Sequence, residues 1–255
     1  MTIDYVVADP VGNITVLVNT VPEPTTRADI IRKAFELEPR CEQVGFVSRR
    51  SSHCVDLEMM GYEFCGNATL SAACYQACLN DLEVGWSDRF KINSSGVEEP
   101  VEVALTRIED KRSFPAYQAT LRVSAPTADT FENYPVMHLD GISHMLVPAG
   151  EMSDETASSR IRDIADHFKV PALGIILFDR LADDRVAIRP LVYVVGSDTL
   201  VWENGCASGS TATAYYLHTQ TGADSIEIVQ AGGEIIRLDI NDSSLYLTAN
   251  VIIEK

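Results

Sequence analysis

Two stretches of this chain, ATLSAACYQACL at residues 68–79 and STATAYYL at 210–217, are built of small and apolar residues with almost no polar face. A helix that is apolar all round is buried all round, and side chains as small as Ala, Ser and Thr let neighbouring strands come close to it. The surroundings read as sheet. Strand-like runs fall at 3–7, 14–18, 43–48, 54–59, 101–105, 117–123 and 144–149, then at 174–178, 186–195, 225–229, 234–240 and 245–253. Only two segments read as amphipathic helices. Residues 25–38, after a Thr cap, put Ile30, Ala34 and Leu37 on one face, and 155–168 carries Ile161, Ile164, Ala165 and Phe168 at helical spacing. The expected class is therefore α+β, with two halves, each a curved mixed sheet wrapped around one central apolar helix.

A cysteine precedes each apolar segment: Cys65 in GYEFCGNATLSAACYQ and Cys206 in WENGCASGSTATAYYL. Superposing the two cysteines, 141 positions apart, pairs Thr69 with Ser210, Ala73 with Ala214 and Tyr75 with Tyr216, with Glu63 and Glu203 just upstream. This echo divides the chain into an N-terminal half, 1–124, and a C-terminal half, 125–255, with the last strand free to return to the first half. The seam is expected in SAPTADTFENYP (124–135), which is polar, holds two prolines and shows no clear strand pattern.

A thiol at a helix start meets unpaired backbone N–H groups and the positive end of the helix dipole, which together lower its pKa. The same N–H groups attract a carboxylate. Gly66 and Gly209 suit either a backbone that comes close to a ligand or a turn that other residues resist. Asn67 and Ser208 add short side chains able to donate hydrogen bonds. The structural alternative is two buried core thiols, and one such site alone would also suit a cysteine hydrolase. Two sites facing one cleft suit another reaction. One thiolate removes a proton from a carbon, the opposite thiol returns one to the other face, and the carbon is inverted. That scheme needs no metal and no organic cofactor. Glu63 and Glu203 either tune the thiols or cap nearby backbone. Asn13, beside Gly12, could simply serve a tight turn.

Cys-Gly-Asn followed about 140 residues later by Cys-X-Ser-Gly resembles the diaminopimelate epimerase-like superfamily of cofactor-independent amino-acid racemases and epimerases. The resemblance spans the chain and includes Gly12-Asn13 and Gln43. GNITVLV, CEQVGF, EFCGNAT, LVWENGCASGS and AGGEIIRL carry it further, towards the histidine racemases of staphylopine-type metallophore synthesis. It implies the diaminopimelate epimerase-like fold with the active site in a cleft between the halves, and Cys65 and Cys206 as the two bases. It also implies that Asn13 and Gln43 line the cleft, and that Gly66-Asn67 and Ala207-Ser208-Gly209 hold the substrate's α-carboxylate and α-amino end. Departures bear on the substrate. VVGSDTLVWENGC lacks the Glu-Arg pair that grips a distal amino-acid group, Gly141-Ile142-Ser143-His144 stands in place of Gly-Asn-Pro-His, and Ala207 replaces the usual glycine. Histidine is the implied substrate, with diaminopimelate or another amino acid as the alternative. Glu42 is either the imidazole's partner or an exposed glutamate at a strand start.

The net charge of −17 opposes binding to nucleic acid or to an anionic membrane surface. No apolar run approaches the roughly 20 residues that cross a bilayer, and MTIDYVVADP lacks the basic start and apolar core of a signal peptide. Six cysteines are too sparse for a disulfide scaffold, so reduced thiols and a cytoplasmic setting are expected. Cys41, Cys54, Cys74 and Cys78 read as core residues. His53, His138, His144, His167 and His218 lack the spacing of a zinc site, and His144 reads as a satisfied strand residue, with a place at the cleft's border as the alternative. The partners expected are a small amino-acid substrate and no nucleic acid or membrane, with a homodimer left open. A non-catalytic thiol protein that senses metal or redox state is the competing class, and it would need clustered Cys and His ligands.

Overall fold

The computed structural model describes residues 2–241 and 244–254, leaving aside the side chain of residue 197. The chain forms two compact units: Met1–Arg122 with Thr248–Lys255, and Val123–Leu247.

In the first unit, β1 (Tyr5–Pro10) and β2 (Thr15–Val18) form a hairpin, and α1 (Pro24–Leu37) leads to β3 (Gln43–Ser51) and β4 (Cys54–Met59). Then follow α2 (Gly66–Leu79), β5 (Ser87–Ser94), β6 (Val101–Lys111) and β7 (Phe114–Val123). Along β1 to β7, β2 with β3 and β4 with β5 are parallel pairs and the others antiparallel. The end of β16 (Ser244–Ile253) lies between β7 and β1 in the hydrogen-bonding order, so these strands close around α2. Thr120 and Thr248 share a hydroxyl–hydroxyl bond of 2.8 Å at that closure.

The second unit repeats the plan. After β8 (Thr127–Phe131) come β9 (Tyr134–Leu139), β10 (Ile142–Pro148), α3 (Asp154–Phe168), β11 (Ala172–Ala182) and β12 (Arg185–Val194). The short β13 (Thr199–Trp202), α4 (Ala207–Thr221), β14 (Ser225–Val229), β15 (Ile235–Asn241) and β16 complete it. Here β10 with β11 and β12 with β14 are the parallel pairs, matching the first unit step for step.

Both apolar helices are enclosed as their composition requires. α2 packs on β1 to β6, and α4 on β9 to β12, β14 and β15. Their buried hydroxyl residues fit a dry setting because each bonds back to a carbonyl four residues earlier: Thr69 to Cys65 (2.8 Å), Ser71 to Asn67 (2.8 Å), Ser210 to Cys206 (2.6 Å), Thr211 to Ala207 (2.9 Å) and Thr213 to Gly209 (2.8 Å). The paired Thr69 and Ser210 thus do the same work in each unit. The other helices lie on the sheets' other side: Ile30 and Ala34 of α1 share a core with Val16, Val18, Val44 and Phe46, and α3 buries Ala157, Ile161, Ile164 and Ala165 against β11 and β12.

Some expectations need correction. α1 starts one residue earlier than expected, with Pro24 in its first turn and no side-chain cap, and Arg27 rather than Leu37 completes its buried face. Pro needs no N–H bond there, which makes the Thr cap unnecessary. The 124–135 segment is not strandless, because β8 and β9 form a hairpin across it from Thr127↔His138 to Phe131↔Tyr134. β8 buries none of its residues, so it shows no apolar alternation. β5 and β13 also lie outside the strand-like runs of the sequence. Among the described residues no helix is long and apolar enough to cross a membrane.

Candidate active site

The candidate residues fall into two groups, one in each unit. In the first, the β1–β2 turn places Asn13, whose N–H bonds to the Pro10 carbonyl (3.1 Å) through Val11 and Gly12, both at positive φ. Parallel pairing then sets Thr15 opposite Gln43. The Gln43 amide donates to the Asn13 side-chain oxygen and to the Thr15 hydroxyl (2.7 Å), which fixes the orientation of that amide. Its remaining oxygen accepts the Cys65 thiol proton (3.0 Å). Asn13 donates in turn to a Glu42 carboxylate oxygen (2.6 Å). Glu42, Asn13, Gln43 and Cys65 thus form one connected row. Asn13 therefore serves the turn and also joins the row that leads to Cys65.

Cys65 is the N-cap of α2, with extended backbone, and its sulfur accepts the Ala68 N–H at 3.5 Å. A cysteine does here what Ser or Asp does at ordinary helix starts. Gly66 and Asn67 form the first turn. The approach to Cys65 is held by Ser95, just after β5, whose hydroxyl donates to the Glu63 carbonyl (2.8 Å) and accepts the Met59 N–H (2.9 Å). Gly96 lies directly against this loop: a Cβ there would stand 2.2 Å from the Phe64 nitrogen, and its φ is +78°. Burial raises the Glu63 carboxyl above the usual range.

The second unit builds the same cap differently. Cys206 is the N-cap of α4, and its sulfur accepts the Gly209 N–H at 3.3 Å. Its own N–H donates to Gln230 Oε1 (2.9 Å), and the Gln230 amide donates to the Ser210 hydroxyl (2.9 Å) and the Ile228 carbonyl (3.1 Å). The Ser208 hydroxyl lies 3.5 Å from the Cys206 sulfur and 2.9 Å from His144 Nε2. Ala207 is buried in the first turn. Neither Gly66 nor Gly209 has positive φ. Gly209 supplies room instead, since a Cβ there would come within 3.1 Å of the Cys206 sulfur.

The expectation of a lowered thiol pKa does not hold for Cys206 in the free protein. Burial pushes its pKa well above the ordinary value, and the charge of Glu203, which also hydrogen-bonds the thiol, adds to the rise. The Ser208 hydroxyl and Gly209 N–H pull the other way and are outweighed. Glu203 therefore acts on the thiol. His144 is fully buried in β10 and bonded to Ser208, so it belongs with the Cys206 group. No local sequence pattern marks the partners of Gln230 or Ser95, which each follow the end of a strand.

All six cysteines are free thiols, and among the described residues no cluster of three or more His, Cys, Asp or Glu could hold a metal.

Comparison with known proteins adds the following. The family model described as histidine racemase CntK N-terminal domain matches residues 2–251. A curated histidine racemase of Fusobacterium nucleatum is 30% identical, over 98% of this chain and 93% of its own length. Another, from Staphylococcus aureus, is 27% identical over 92% of this chain and 87% of its own. Among solved structures, a predicted epimerase from Pseudomonas aeruginosa aligns with a TM-score of 0.71 at 10% identity, over 100% of this chain and 98% of that one. A phenazine biosynthesis PhzF-family protein from Enterococcus faecalis aligns at 0.62 and 11%, with the same coverage. At such identities these two speak for a shared α+β fold.

Proposed function

Since the chain belongs to the histidine racemase CntK family, we propose that it interconverts L- and D-histidine, with Cys65 and Cys206 as the two acid/base groups. The observation that carries this reading is the repeated device itself: in each unit a thiol serves as N-cap of a buried apolar helix, and its sulfur accepts a first-turn N–H. The device puts a titratable sulfur beside a site suited to a carboxylate.

On this reading one thiolate takes the Cα proton and becomes a thiol. The electron pair left on carbon spreads into the substrate carboxylate, where the first-turn residues Gly66, Asn67, Ala207, Ser208 and Gly209 stabilise the added charge. The other thiol gives its proton to the opposite face and becomes the thiolate. One proton leaves and one arrives, and the negative charge has moved between sulfurs. Burial and Glu203 favour the protonated form of Cys206, so Cys206 serves as the acid, and Cys65 serves as the base once its own proton has passed to solvent. Gln43 accepts the Cys65 proton in the free protein. Glu42, at the end of the Asn13–Gln43 row, takes the imidazole N–H. The free thiols suit a reducing cytoplasm, and a use of D-histidine in metallophore synthesis rests on the sequence resemblance.

The test is incubation with L-histidine, diaminopimelate and a panel of other L-amino acids, followed by chiral chromatography. Histidine is expected to racemise, and Cys65→Ala and Cys206→Ala each to abolish it. Turnover of another amino acid in preference would overturn the substrate assignment, and full activity of either variant would overturn the two-thiol mechanism.

A further inference from the structure

We infer that His144 is a positioning residue for Cys206 and acts through Ser208, its Nε2–H holding the serine hydroxyl so that the hydroxyl proton points at the Cys206 sulfur. The inference rests on the proposed role of Cys206 and adds a residue to it.

The geometry fixes each step. His144 and Gly174 are cross-strand partners on the parallel pair β10–β11. The imidazole lies flush on that glycine, where a Cβ would stand 2.1 Å from Nδ1 and 2.6 Å from Cε1. Nδ1 is buried there without a hydrogen-bond partner. A proton on Nδ1 would be an orphaned buried donor, which folded proteins avoid more strictly than an unused lone pair. The proton therefore sits on Nε2, which donates to the Ser208 oxygen 2.9 Å away. With that lone pair occupied, the Ser208 hydroxyl proton is free to turn to the sulfur at 3.5 Å.

Two opposed contacts then meet on one sulfur. Glu203 favours the thiol and Ser208 favours the thiolate. A catalytic thiol that must hold a proton and then give it up needs both. Burial holds the His144 pKa at about 3, so at neutral pH the ring is an uncharged donor and brings no competing charge to the sulfur. Gly174 is part of the same arrangement, since any larger residue would displace the ring.

The test reads Cys206 directly, by peptide-resolved alkylation rates across pH in the full-length protein, beside kcat and KM for histidine. His144→Phe keeps a ring but removes the donor. It is expected to slow Cys206 alkylation at neutral pH about tenfold, as loss of one hydrogen bond to the charged form implies. The midpoint of its profile should rise and kcat should fall by a similar factor, with KM little changed. His144→Gln, whose amide can donate to Ser208, should recover part of both. In its alkylation profile Ser208→Ala should match His144→Phe, and the double variant should be no worse than Ser208→Ala alone. Ser208→Ala is a small change at a half-buried position, so it keeps the inference falsifiable even if His144→Phe fails to fold: an unchanged Cys206 profile overturns it. Additive losses in the double variant overturn it as well. If wild type turns over no amino acid, the proposed function falls, while the alkylation profiles still decide whether His144 acts on Cys206.

Discussion

Gln230→Ala is expected to weaken the fold and the Cys206 site together. The buried Gln230 side chain accepts the Cys206 N–H and donates to the Ser210 hydroxyl and the Ile228 carbonyl, all within 3.1 Å. Truncation leaves the buried Cys206 N–H with no acceptor, a loss of about 2 kcal/mol. Ser210 still donates to the Cys206 carbonyl at 2.6 Å, so it and Ile228 together add about 1 kcal/mol. The missing side-chain atoms leave a small void worth about 1 kcal/mol more. The sum, about 4 kcal/mol, corresponds to a fall in melting midpoint of roughly 10 °C for a chain of this size. Urea and thermal unfolding measure it. The freed N-cap also lets the sulfur drift, and a shift of well under 1 Å is expected to lower kcat at least tenfold at a temperature where the variant is still folded. Gln230→Glu keeps size and acceptor but adds a buried carboxyl near the sulfur, so the Cys206 alkylation profile should move to higher pH. A stability loss below about 1 kcal/mol for Gln230→Ala, with kcat unchanged, would refute the reasoning.

Three further outcomes follow from the same contacts. Gly96→Ala forces a Cβ into the Phe64 nitrogen at positive φ, so a loss of at least about 3 kcal/mol in urea unfolding is expected; normal stability would show that the loop before Cys65 yields easily. Glu203→Gln removes a charge that raises the Cys206 thiol, so its alkylation should begin at lower pH; an unmoved profile would exclude Glu203 as a cause. Burial holds the His144 pKa at about 3 against 6.5 for the free group. The unfolded chain thus gains a proton that the folded one refuses as pH falls from 6.5 towards 3, and stability that is full above that window declines through it. The contribution lost by pH 5 is about 2 kcal/mol, and urea unfolding of wild type and His144→Gln at pH 7 and pH 5 should show it missing from the variant.

The residues that sequence revealed best are those whose burial leaves no choice. α2 and α4 have no wet side, so their enclosure by strands was legible, and so were the cysteines at their starts. Asn13 and Gln43 come from resemblance and Glu42 from the need of an imidazole for an acidic partner, and the structure shows how they connect: a hairpin turn and a parallel register bring 13, 15 and 43 side by side. Elements with a weak face were harder to read. β5 buries Phe90, Ile92 and Ser94 between charged and polar residues, while β8 buries nothing. The state of Cys206 is not legible in the sequence because a helix start and a buried pocket act oppositely on a thiol, and only the structure shows that burial and Glu203 outweigh the helix. Gln230, Ser95 and the His144–Ser208 contact depend on register between distant strands and loops, which no local pattern encodes.

The central claim, inversion by two thiols, is tested most directly by the fate of the proton. L-histidine is incubated in D₂O, and mass spectrometry follows both enantiomers during the first few per cent of conversion. Two separate groups, one removing and one returning, should give D-histidine that carries solvent deuterium at Cα in nearly every molecule, while the remaining L-histidine stays protiated. D-histidine that keeps the substrate's own proton would contradict the claim, because it would mean that a single group both takes and returns it.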